Sequence, residues 1–106
     1  MKRVNENKDY LHLLAWTPSR PQRQALFRTA TKEQVLALSE ILLNFLAGNI
    51  ELSDTELRKL KVYKKEIRKA GTNKKIKWQQ RKTAMIKVGK AIQSIVKAVI
   101  PDRKKQ

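Results

Sequence analysis

Arg58, Lys61, Lys65, Arg68 and Lys69 recur at three- and four-residue spacings. Wound as a helix, they fall within an arc of about 100° along a rise of roughly 16 Å. Leu57, Leu60, Tyr63 and Ile67 line another side, and Glu66 is the one carboxylate nearby. The chemistry open to such a row is ionic. It repels itself in isolation, and a polyanion relieves the repulsion while releasing condensed counterions. The bland reading is a solvated face that keeps the chain dispersed.

A second basic group, Lys74, Lys75, Lys77, Arg81 and Lys82, surrounds Trp78 and is expected to contact phosphates. Trp78 can stack on an exposed base. Alternatively, Trp78 and Ile76 pin the connector to a core, the commoner fate of a tryptophan. Further on, Met85, Val88, Ile92, Ile95, Val96 and Val99 form an apolar stripe, with Lys87, Lys90, Lys97 and Ser94 opposite. Residues 85–100 therefore read as a cationic amphipathic helix. Such a helix packs on a core, pairs with a second copy or lies in an anionic membrane interface.

Covalent chemistry is not indicated. The chain has no cysteine and one histidine, His12, in an apolar segment, so no metal site is expected. Its three glycines occur singly, which excludes a phosphate-cradling loop. The carboxylates sit mainly at helix starts, where capping and the helix dipole account for them. The expectation is a non-enzymatic protein with no cofactor.

The charge is unevenly placed along the 106 residues. Residues 1–57 carry seven basic and seven acidic side chains, whereas residues 58–106 carry eighteen basic ones against Glu66 and Asp102. The second half thus holds the whole formal charge of +16. A neutral, apolar half joined to a cationic one points to a platform presenting a polyanion-binding surface. Nucleic acid, in particular double-stranded DNA, is the expected partner. The alternatives are an anionic membrane and an acidic protein docked on a scaffold. No apolar run approaches the ~20 residues that span a bilayer, and the N-terminus lacks the apolar stretch of a secretory signal. An intracellular protein is expected.

The elements that must position these residues are helical. Tyr10 to Trp16 is an apolar segment stopped by Thr17-Pro18, and Pro21 suits the first turn of a short helix through Phe27. Thr31 and Gln34 have capping-box spacing. Behind them Val35, Leu38, Ile41, Leu42, Phe45 and Leu46 mark a central helix ended by Gly48-Asn49. Ser53 and Glu56 repeat the box and open a fourth helix, from about Asp54 to Ala70, with Gly71 as its stop. Trp78 to Val99 is one helix or two, divided at Gly89. The expected fold is all-α. A bundle of about four helices occupies residues 1–71, and residues 72–106 form a basic connector, an amphipathic helix and a frayed tail from Asp102.

The run Pro21-Gln22-Arg23-Gln24-Ala25-Leu26-Phe27-Arg28-Thr29-Ala30 continues as a spaced pattern through Asn44-Phe45-Leu46-Ala47-Gly48-Asn49-Ile50-Glu51-Leu52-Ser53. It extends into Leu60-Lys61-Val62-Tyr63-Lys64-Lys65-Glu66-Ile67-Arg68-Lys69-Ala70. Over about residues 11–82 it resembles short basic proteins encoded by polinton (Maverick-like) and adintovirus-like DNA elements of animals. Such proteins are suspected minor virion or core components, comparable to the small DNA-condensing core proteins of adenoviruses. The resemblance implies a virion-core protein that packages double-stranded DNA, located in a nucleus or virion. Family members carry paired glycines and an apolar tail near the C-terminus, where this chain has Gly89 and lysines.

Overall fold

The computed structural model describes residues 1–72 and 76–102, and its helices begin and end largely at the punctuation read from the sequence. Among the described residues there are eight helices and no strand. They are α1 (Lys2–Glu6), α2 (Lys8–Trp16), α3 (Arg20–Arg28), α4 (Lys32–Leu46), α5 (Asp54–Lys61), α6 (Lys64–Thr72), α7 (Trp78–Lys87) and α8 (Gly89–Val99). The all-α class stands. Lys74, Lys75 and the expected tail from Arg103 onward lie outside the described residues.

Local hydrogen bonds explain the boundaries. At the start of α4 the Gln34 N–H donates to Thr31 Oγ1 at 3.2 Å, and the Thr31 N–H donates to Gln34 Oε1 at 2.9 Å, closing the capping box from both sides. Gly48 ends α4 at φ 78°. There the Asn49 N–H reaches the Asn44 carbonyl and the Gly48 N–H the Phe45 carbonyl, a Schellman motif. Ser53 caps α5 through the Glu56 N–H, and Ser19 caps α3 through the Gln22 N–H.

Packing is organised around α4, which buries Val35, Ala37, Leu38, Ser39, Ile41, Leu42 and Phe45. It touches α1, α2, α6, α7 and α8. The helix expected from Asp54 to Ala70 is broken at Val62-Tyr63, where the Tyr63 N–H turns back to the Leu60 carbonyl at 2.9 Å. No proline or glycine marks the break. It lets α6 lie along α4 and bury Ile67, while Leu57 and Tyr63 of the expected apolar side stay exposed.

Two glycines stand at or next to the expected helix boundaries and also have packing roles that the sequence did not show. The helix carrying Gly71, α6, ends one residue later at Thr72. In this last turn of α6 a Cβ added at Gly71 would meet Leu42 Cβ at 2.8 Å, so its absent side chain lets α6 approach α4. The α7–α8 break falls at Val88, and Gly89 opens α8. A Cβ at Gly89 would meet Phe27 Cε2 at 3.0 Å and Arg23 Nε at 3.2 Å, so the glycine seats α8 against α3.

The core crosses the boundary expected at residue 71. Met85, Ile92, Ile95 and Val96 are fully buried in one cluster with Leu11, Leu14, Leu38 and Ile41. The radius of gyration, 12.6 Å, matches the roughly 13 Å of a single domain of this length. Polar groups also stitch the two halves. Gln93 Nε2 donates to the Leu14 carbonyl at 3.0 Å and to the Thr17 carbonyl, satisfying groups at the end of α2 that have no helical partner. The Trp16 indole N–H donates to the Ile100 carbonyl at 3.1 Å. Tyr10, whose phenol is pushed up by burial and stays neutral, donates to the Leu26 carbonyl at 2.8 Å.

Two substitutions test this architecture. Ile92→Ala is expected to cost about 2–5 kcal/mol, because it empties a site in the shared core. Gly71→Ala is expected to destabilise by about 1–3 kcal/mol through overpacking on Leu42, although alanine is the better helix former by about 1 kcal/mol. Urea unfolding of both variants checks these values. A neutral or stabilising Gly71→Ala would contradict the close approach of α6 to α4.

Candidate nucleic-acid interface

The basic residues read from the sequence fall into three groups. Arg58 and Lys61 on α5, and Lys65, Arg68 and Lys69 on α6, are all exposed. The helix break divides them into two short rows, in place of the single 16 Å row expected from an unbroken helix. Lys77 is exposed at the start of α7, where its backbone N–H donates to Gln80 Oε1 at 3.2 Å.

Arg81 and Lys82 point elsewhere. Arg81 Nη1 donates to Ser39 Oγ at 3.0 Å, and Ser39 is buried on α4. Lys82 Nζ donates to the Arg28 carbonyl at 3.1 Å, neutralising the C-terminal end of α3. The same ammonium lies 5.0 Å from the centre of the Trp78 ring. Trp78 is half-buried and packs against the core, as the pinning alternative required. These side chains hold α7 to α3 and α4.

A strongly cationic concavity among the described residues lies where sequence periodicity did not point. A groove of about 950 Å³ opens between α3, the α5–α6 break and the α7–α8 junction. Its lining includes Arg20 and Arg23 from α3, Lys59 from α5, and Lys87, Lys90 and Lys97 from the C-terminal helices. No carboxylate lines it among the described residues. A second hollow, between α6 and α7, is lined by Lys65, Lys69 and Lys87 beside Glu66. Lys87 belongs to both, so one basic surface continues from α3 to α6.

Its parts are held in place from below. Arg23 Nη1 donates to Gln93 Oε1 at 3.3 Å, and Gln93 is itself anchored on the end of α2. The first turn of α3 carries Arg20 and Arg23 without a carboxylate, an arrangement that the helix dipole disfavours and an anion would relieve. A concavity lined by one sign of charge also concentrates its field.

Arg20 and Arg23 belong to the neutral half of the sequence. Lys87, Lys90 and Lys97 follow the rear of an amphipathic stripe, and no sequence spacing relates the two sets. Tertiary packing alone brings them together. The stripe itself is occupied: Met85, Val88, Ile92, Ile95 and Val96 are buried, and α8 packs on α2 and α4. No helix among the described residues is long and apolar enough to cross a membrane. Nor do three His, Asp or Glu side chains converge there as a metal site. No family model, curated protein or solved structure matches the chain.

The division of basic residues into internal and surface groups has a measurable consequence. Arg81→Gln is expected to lower stability by about 1–3 kcal/mol, since it withdraws the guanidinium from buried Ser39. Lys61→Gln and Lys65→Gln are expected to stay within about 0.5 kcal/mol of the parent. Thermal or urea melts of the three variants distinguish the groups.

Proposed function

We propose that the protein is a non-enzymatic, largely sequence-independent nucleic-acid-binding protein, acting through the basic surface that runs from the α3–α8 groove to α6. The observation that carries this reading is the convergence of six cations from separate helices on one groove without a lining carboxylate. Lysines and arginines so placed neutralise phosphates and release counterions. Phosphate contacts position a polymer without reading its sequence. Together with the resemblance to basic proteins of polinton-like elements, this supports a role in condensing or packaging DNA in a nucleus or virion.

Arg58, Lys61, Arg68 and Lys77 extend the exposed basic surface in this reading. Arg81 and Lys82 serve the fold, and Trp78 with them. The membrane alternative needs the apolar stripe of residues 85–100, most of which is buried. That observation favours a polymer ligand over a lipid surface.

Six neutralised phosphates give a slope of log affinity against log salt near −5 on duplex DNA of any sequence. Replacing Lys59, Lys87 and Lys90 together by glutamine is expected to make that slope shallower by about 3, with helix content retained. Fluorescence anisotropy at several salt concentrations measures both, with anionic vesicles as the control. A parent slope shallower than about −2, or vesicle binding that survives high salt, would overturn the proposal.

A further inference from the structure

Of the six aromatic residues, Tyr63 alone is exposed. Phe27 and Phe45 are buried and Tyr10 is half-buried. Trp16 donates to Ile100 with Lys97 Nζ 5.3 Å from its ring centre, and Trp78 packs on the core beneath Lys82. Tyr63 is 44% exposed and its neighbour Val62 is 73% exposed. Both line the cationic groove.

We propose that this groove takes a nucleic-acid strand with unpaired bases, and that Tyr63 is the platform on which a base stacks. The inference rests on the nucleic-acid reading above and specifies the form of the polymer. An aromatic face and several cationic heads within one concavity are the combination that holds single strands, the cations following the backbone and the ring taking a base. In a duplex the base faces are stacked on one another, so it offers the groove phosphates and base edges only. An unpaired base can cover the Tyr63 ring and lie against Val62, removing two exposed apolar side chains from water. The α5–α6 break gives the pair its place, because it turns Val62 and Tyr63 outward between two helices whose Leu60 and Ile67 are buried. Arg20, Lys59, Lys87 and Lys90 share the same lining and supply the phosphate contacts.

The test compares three probes of equal length at fixed salt: oligo(dT), an abasic deoxyribose-phosphate strand and a duplex. The full chain, Tyr63→Ala and Tyr63→Phe are titrated into each by fluorescence anisotropy. The parent is expected to bind oligo(dT) about 5- to 100-fold more tightly than the abasic strand. Tyr63→Ala is expected to abolish that difference and Tyr63→Phe to keep it, while duplex affinity is the same for all three proteins. Melting curves check that this exposed position leaves the fold intact. Stacking by Tyr63 is overturned if the parent does not distinguish oligo(dT) from the abasic strand. It is also overturned if Tyr63→Ala leaves oligo(dT) binding unchanged, or weakens all three probes alike. In each of these cases salt-dependent binding of the phosphate polymers keeps the broader nucleic-acid reading. Failure to bind any of the probes would remove that reading itself.

Discussion

A helix apolar around most of its circumference has to be enclosed, and the enclosure of α4 is the constraint on which this structure depends. The neutral half supplies α1 and α2 for that purpose, and the cationic half supplies α6, α7 and α8. Full burial of a large aliphatic side chain contributes about 1.5–3 kcal/mol. Repulsion between neighbouring like charges on an exposed helix costs only a few tenths. Burial therefore decides. The cationic helices are drawn onto α4 by Ile67, Met85, Ile92, Ile95 and Val96, and many of their lysines are left facing outward.

The basic groove follows from the same packing. Gly89 allows α8 to approach α3, Gln93 ties α8 to the end of α2, and Arg23 is held on Gln93. These contacts bring Arg20 and Arg23 next to Lys87, Lys90 and Lys97, although more than sixty residues separate the two sets in the chain. Assembling like charges destabilises a compact state through self-repulsion. Salt screens that repulsion, and a polyanion bound as proposed would remove it more fully, which would couple binding to the stability of the fold through one electrostatic cost.

Basic residues that look alike in the sequence have different work in the structure. Arg81 reaches the buried hydroxyl of Ser39, and Lys82 closes the end of α3 while lying over Trp78. Lys77, four residues before Arg81, stays exposed. Helical spacing alone assigns all three to the same connector and cannot say which neighbours they meet. The opposite error concerned Arg20, Arg23, Lys59, Lys87, Lys90 and Lys97, which no periodic pattern marks as a set. Tyr63 read as part of an apolar face because a continuous helix aligns it with Leu60 and Ile67.

Features settled between neighbouring residues are legible in the chain before it folds. The Thr31–Gln34 capping box, the Gly48-Asn49 terminus, the Ser53 cap and the apolar run of α4 are local, since each is satisfied by hydrogen bonds or spacing within a few residues. The all-α class and the concentration of charge from residue 58 onward are legible for the same reason. The break at Val62-Tyr63 in the helix after Ser53, the close approach at Gly71 and Gly89, and the completion of the core by α7 and α8 emerge from packing across the chain. The same packing assembled the groove. Each of these depends on atoms brought together across the chain by burial, an interaction without direction or sequence register, whose geometry is set when the whole core packs.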